Sequence, residues 1–146
     1  MNGDALEALI HKYVFPKSKI YGGLSVDPAH AAEQMQLVKC LWMQESGRQL
    51  LHFIVSFSTW ESDRIKSAEE LIPLAYDVCH YYASDFQIVF GIHLGRSGLW
   101  HVHFVVNSVS FTTGKRIPDR NSLYFDFGYY VQSCLPDGGK VPVYFN

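Results

Sequence analysis

Two runs rich in Val, Ile and Phe, residues 85–94 and 99–111, are separated only by Gly95-Arg96-Ser97-Gly98. Strands joined by so short a turn must run antiparallel, which excludes a doubly wound parallel sheet. Three of the chain's seven histidines sit on this hairpin, as His93, His101 and His103. Residues two apart on a strand point the same way, so His101 and His103 are neighbours. A two-residue loop, Arg96-Ser97, would pair His93 with Trp100 and send it to the opposite face. A three-residue loop, Arg96-Ser97-Gly98, pairs His93 with His101 and puts Gly91 opposite His103. Only this second register leaves Phe90, Ile92, Trp100, Val102, Phe104 and Val106 as one unbroken apolar surface, and a slip of one residue destroys it. The apolar pattern therefore selects the loop in which Gly98 takes a left-handed conformation and the three rings cluster.

Three neutral imidazoles converging on one point offer nitrogen donors suited to a borderline divalent metal, and leave positions open for water or substrate oxygens. His93, His101 and His103 are the expected metal ligands. Histidines can also merely line a polar sheet face, but three on one hairpin face form the kind of titratable cluster that marks functional sites. Zinc-hydrolase chemistry stays open on these residues alone.

The rest of the chain supplies helices to cover that sheet. Its 146 residues suit one domain, and 48% hydrophobic against 18% charged residues suffices to bury a core. Asp4 caps a first helix with Leu6, Leu9, Ile10 and Tyr13 on one stripe, ended by Pro16. A polar loop, Lys17 to Val26 with Gly22-Gly23 inside it, leads to a second helix that opens at Asp27-Pro28 and runs to about Leu41. Gln49 to Ser58 reads as a strand, with Phe53, Val55 and Phe57 on one side and His52, Ile54 and Ser56 on the other. Ser67 caps a third helix from Ala68 to about Ala83. Residues 120–135 are ambiguous, although Leu123, Phe127, Tyr130 and Val131 suit a helix, and the tail 140–146 reads as a short strand. The fold class is α+β, a central antiparallel sheet carrying the histidines, flanked by helices that pack on one face.

No apolar run approaches the roughly 18 residues of a membrane span. Met1-Asn2-Gly3-Asp4 lacks the basic start and apolar centre of a signal peptide. Cys40, Cys79 and Cys134 are far apart and in no C-x-x-C arrangement, which reads as reduced thiols in a cytoplasmic protein. A net charge of −2 argues against a generic nucleic-acid binder, because such affinity rests on neutralising phosphates. Any such contact must be local, and basic residues do gather at Lys12, Lys17 and Lys19 and again at Lys115, Arg116 and Arg120.

A tyrosine on the sheet-facing stripe of a helix ordinarily packs and hydrogen-bonds its hydroxyl. Lys12, Lys17 and Lys19 put positive charge around Tyr13, and Pro16 places it at an accessible helix end, so it is also a candidate nucleophile. His52 and Ser56 share one face of their strand. If that face bears the metal, Ser56 can bond a phosphate and His52 can support a ligand from behind; both being solvated strand positions is the equal alternative. Asn107, on the His101 side further along, has the same balance.

The segment His93-Leu-Gly-Arg-Ser-Gly-Leu-Trp-His-Val-His-Phe-Val-Val-Asn107, followed by Phe111-Thr-Thr-Gly114-Lys115, resembles the three-histidine motif of relaxases, the mobilisation nucleases of conjugative elements and plasmids. His52-Phe-Ile-Val-Ser56-Phe57 is similar to that family's second motif, in which a serine at a strand end helps hold the DNA. Leu9-Ile-His-Lys-Tyr13-Val-Phe-Pro-Lys17 resembles its first, a nucleophilic tyrosine on a helix before a lysine-containing loop. The three stand in the family's order, over about residues 6 to 117.

The resemblance implies an HUH-type nuclease fold, a single domain over 1–146, trimmed at its N-terminus where relatives carry a strand before the tyrosine helix. It implies Mg²⁺ or Mn²⁺, with Zn²⁺ as the other option, on His93, His101 and His103. Tyr13 would attack a scissile phosphate, leaving a 5′-phosphotyrosine and a free 3′-hydroxyl. His52, Ser56, Asn107, Lys17 and Lys115 would touch the DNA or support the ligands. The implied partner is single-stranded DNA at a transfer origin, with accessory mobilisation proteins and no membrane. Two alternatives stay open: a remnant of the fold that binds DNA without cutting it, and a His–metal hydrolase of small substrates.

Overall fold

The computed structural model of this protein describes residues 3–135 and 143–145. The first helix begins as one α-helical turn, α1 (Gly3–Leu6), then loosens into a π-helical segment, Glu7–Val14. The wide winding shows where the Phe15 amide donates to the Ile10 carbonyl, five residues back, at 2.9 Å. It moves the fully buried stripe to Leu6, Ile10 and Val14, while Tyr13 is carried to the stripe's edge and stays 38% exposed. Each of those buried side chains contributes roughly 1.5–3 kcal/mol, which fixes the helix that carries Tyr13. Long π-helical stretches are rare and concentrate at functional positions.

Residues 17–26, expected as a loop, hold an edge strand, β1 (Ile20–Leu24). Its glycines serve clearance and not a turn. A Cβ on Gly22 would stand 2.7 Å from the Tyr76 hydroxyl, and one on Gly23 2.8 Å from the Ile88 carbonyl. Asp27 accepts from the Ala29 amide at 3.0 Å, opening a 3-10 turn, Pro28–His30, that runs into α2 (Ala31–Leu41). β2 (Leu50–Ser56) is followed by a short helix the sequence did not announce, α3 (Thr59–Ser62). Ser67 and Glu70 form a capping box over the 3-10 turn Ala68–Leu71, which leads into α4 (Ile72–Cys79). The hairpin strands are β3 (Ile88–Leu94) and β4 (Trp100–Asn107). The ambiguous stretch becomes α5 (Asn121–Cys134), because Phe127 and Val131, four apart, are both fully buried and Phe127 packs 4.1 Å from the Phe53 ring. Of the expected C-terminal strand, β5 (Val143–Phe145) is seen; 140–142 and 146 lie outside the described residues.

The strands make one antiparallel sheet in the order β1-β3-β4-β2-β5. Its register is the one that clusters the imidazoles: His93 pairs with His101, Gly91 with His103, and Ser56 with His101 from the other side. The turn is the three-residue loop, closed by the Gly95 amide on the Leu99 carbonyl at 3.0 Å, with Gly98 at φ +81°. Directly paired residues share a face, so His52, Ser56, His93, His101 and His103 stand together, and Phe53, Phe90, Ile92, Val102 and Phe104 stand on the reverse.

Helices cover both faces, and the one-face expectation is corrected here. α4 and α5 pack on the apolar face. α1, the π-helical segment and α2 cover part of the histidine face, setting Leu6, Ile10, Val14, Ala31 and Met35 against Val89 and Val105. Those two valines are the reason. They occupy the histidine face at the end away from His93 and His101, so half of it is apolar and must be covered. The other half is left to the histidines.

Candidate metal centre

β3 and β4 project the three rings from adjoining register positions. Ring centroids lie 4.2 Å apart for His93–His103, 5.1 Å for His101–His103 and 5.2 Å for His93–His101. One nitrogen from each ring lies within 4.8 Å of the others. One nitrogen of each ring is hydrogen-bonded. His93 Nε2 donates to the Val14 carbonyl at 2.8 Å, His101 Nδ1 to the Leu99 carbonyl at 3.4 Å, and His103 Nδ1 shares a proton with His52 Nε2 at 2.9 Å.

His103 Nε2 is left over, buried and without a partner. Leaving such a group unsatisfied costs about 1–3 kcal/mol. A metal ion would satisfy it, and back-supported imidazoles are the arrangement that metal-binding histidines use. The donor set therefore fits a divalent cation.

Burial pushes the pKa of His103 down to about 3, and the neighbouring rings of His93, His52 and His101 add to the shift. Burial also holds His52, His93 and His101 below the ordinary histidine value. All four are neutral at pH 7, the form that binds metal. An unfolded chain takes up these protons near pH 6.5 and the folded one resists them. The resulting stabilisation is complete above about pH 6.5 and is lost as the pH falls toward His103's own value. Thermal melts of metal-free protein should give a flat Tm from about pH 7 to 8 and a steady fall below 6.5, with a shallower fall for His103→Leu. Equal slopes would mean that the imidazole cluster does not govern acid sensitivity.

Tyr13 stands at the mouth of the cluster, its ring centroid 5.7 Å from that of His103 and 6.1 Å from that of His93. Lys17 Nζ lies over its ring, 4.5 Å from the centroid. The chain after the helix comes close over β3 because Gly91 has no side chain; a Cβ there would stand 2.7 Å from Val14 Cγ1. The Val14 carbonyl, at the helix end, accepts from both His93 Nε2 and Ser18 Oγ, the latter at 2.6 Å. One carbonyl thus ties the tyrosine helix to a ring of the cluster. No sequence signal marks it, since it is a backbone group.

Ser56 closes β2 directly across from His101, and the His52 ring stacks on His103 at 5.1 Å. Asn107 and Lys115 are not brought to the cluster. Asn107 lies four residues past His103, about 13 Å along the strand. It is fully buried, donating to the Met35 carbonyl at 3.1 Å and to Gln87 Oε1 at 2.9 Å, and accepting from Lys39 Nζ. That network ties α2 to the sheet. Lys39 went unmarked in the sequence; its signal was a lysine four residues after Met35, in phase with the buried side of α2. Burial, then the charge of Arg116, pushes its pKa down to about 8. Lys115 follows in the turn beyond β4, at that same far end, its carbonyl accepting from the Ser110 amide at 2.9 Å.

Among the described residues no helix is long and apolar enough to cross a membrane. Cys40, Cys79 and Cys134 are free thiols. No curated protein and no solved structure matches the chain. Residues 16–132 match the family described as relaxase, MobA/VirD2-like, nuclease domain. The match takes in His52, Ser56 and the three clustered histidines, and it starts just after Tyr13. With most of its length matched and the histidine hairpin inside the match, the chain belongs to the relaxase family, through its MobA/VirD2-like nuclease domain.

Proposed function

We propose that the protein cuts one strand of DNA at a transfer origin and rejoins it, through Tyr13 and a divalent cation on His93, His101 and His103. The observation that carries this reading is a phenol ring beside three imidazoles, one of which keeps a buried nitrogen without a partner. Mg²⁺ or Mn²⁺ held there, or Zn²⁺, which imidazole also suits, would supply positive charge to the scissile phosphate. The Tyr13 oxygen attacks phosphorus and gives up its proton. The bond to the 3′ oxygen breaks, and that oxygen is protonated, leaving the 5′ phosphate esterified to tyrosine. Water takes no part in the exchange, so a 3′-hydroxyl can attack the phosphotyrosine and restore the strand.

Lys17, whose ammonium lies over the Tyr13 ring, offsets charge developing on the phenol in this reading. Ser56, beside His101, donates to a phosphate oxygen, and His52 orients His103. Asn107 acts through the packing of α2, and Lys115 meets the DNA backbone farther from the cut. The test is a 3′-labelled single-stranded oligonucleotide carrying the origin of the element that encodes the protein. A covalent protein–DNA band on a denaturing gel is expected with Mn²⁺ or Mg²⁺ and none after chelation. Binding without a covalent band under every divalent cation would identify a remnant that holds DNA without cutting it.

A further inference from the structure

One exposed indole takes no part in either core. Trp60, on α3, is 61% exposed. Only Phe57, Ser58 and Thr59 separate it from Ser56, the partner of His101. Its Cα therefore lies within about 14 Å of that of Ser56, since a residue spans at most about 3.6 Å. The turn that carries it is firmly built. Ser58 and Glu61 form a capping box, and the buried Ser62 hydroxyl accepts from the Trp100 amide at 3.0 Å, which anchors α3 beside the start of β4. The Arg64 guanidinium lies over the indole, 3.4 Å from its centroid, held by donation from Nη1 to the Trp60 carbonyl at 2.9 Å.

Fold stability does not account for this arrangement. An exposed cation–π pair contributes about 0.5–1 kcal/mol. Leaving more than half of an aromatic side chain's 150–250 Å² in water forgoes about 3 kcal/mol of burial. A rigid aromatic face backed by a cation, four residues along the chain from the serine to which the nuclease reading gives a phosphate contact, is instead the make-up of a single-strand groove, where bases stack and cations meet phosphates. Arg96, in the turn between His93 and His101, adds positive charge at that end of the sheet, and Lys66, two residues past Arg64, balances the exposed Asp63. Glu61 is taken up by the capping box.

We propose that Trp60, backed by Arg64, is a stacking platform for an unpaired base of the DNA strand near the cut phosphate; this rests on the nuclease reading above. Stacking tolerates any base, so fluorescein-labelled dT25 at low salt is a sufficient probe, read by anisotropy. Wild-type protein binds it. Trp60→Ala weakens binding roughly 5- to 150-fold, the range for one stacked base, while Trp60→Phe loses less. Arg64→Ala lowers the dependence on salt. Leu41→Ser, a control at a side chain 72% exposed on α2, binds as wild type does. Saturating dT25 also quenches tryptophan emission in wild type and not in Trp60→Phe. Undiminished binding by Trp60→Ala, or quenching that survives in Trp60→Phe, overturns this proposal alone. A wild-type protein that ignores dT25 but forms the covalent band with the origin oligonucleotide also overturns this proposal, while the nuclease reading stands or falls on that band alone.

Discussion

Tyr13→Phe is expected to abolish the covalent protein–DNA band, lowering its rate of formation by on the order of 10⁴-fold or more, while fold, metal affinity and strand binding persist. Removing an enzyme's nucleophile characteristically costs that much. The substitution is otherwise mild. The ring keeps its edge contacts with His93 and His103 and its position under Lys17. Tyr13 is not part of the buried stripe, which runs through Leu6, Ile10 and Val14, so little packing is disturbed. The Tm should stay within about 2 °C, and calorimetric binding of Mn²⁺ and anisotropy with the origin oligonucleotide should each stay within about twofold. A covalent band formed by Tyr13→Phe at the wild-type rate removes Tyr13 as nucleophile. Loss of the band together with loss of metal or DNA binding would assign Tyr13 a supporting role instead.

The part of this site that was legible in the sequence is the part governed by alternation. Strand residues point to opposite faces with period two, so the apolar run from Phe90 to Val106 could be continuous in one register only. That register, through Gly98, forces His93 onto His101. The helix that carries Tyr13 was harder to read. An α-helical stripe through Leu6, Leu9, Ile10 and Tyr13 fits the spacing, but the wider π winding selects Leu6, Ile10 and Val14 and turns Tyr13 toward the histidines. Glycine misled in the opposite sense at Gly22-Gly23, because a missing Cβ serves a close approach in an edge strand as well as it serves a turn. What remained out of reach is what backbone groups and distant partners do. The Val14 carbonyl holding His93, and Asn107 bound to Lys39 and Gln87, depend on elements brought together from far apart in the chain.

Metal binding should separate two histidines that hydrogen-bond one another. His103→Leu removes a ligand and is expected to eliminate calorimetric binding of Mn²⁺ and, with it, the covalent band. His52→Gln removes a support behind that ligand and should weaken metal binding by about 10–100-fold, the usual cost of such a partner, with activity recovered at raised Mn²⁺. Stability of the metal-free protein is the informative control. His103 is buried, and its Nε2 is unsatisfied when no metal is bound, so leucine, similar in volume, relieves about 1–3 kcal/mol of unmet hydrogen bonding. It also removes the hydrogen bond between His103 and His52 Nε2, a loss of about 0.5–1.5 kcal/mol. The gain and the loss oppose one another, and the metal-free Tm should move by only a few degrees, the shift that about 1 kcal/mol gives in a domain of this size. Saturating Mn²⁺ should raise the Tm of the wild type and leave that of His103→Leu unchanged, because a ligand stabilises only the state that binds it. A His103→Leu protein that unfolds with or without metal would mark the imidazole as a packing element. One that keeps wild-type metal affinity would show that the cation sits elsewhere.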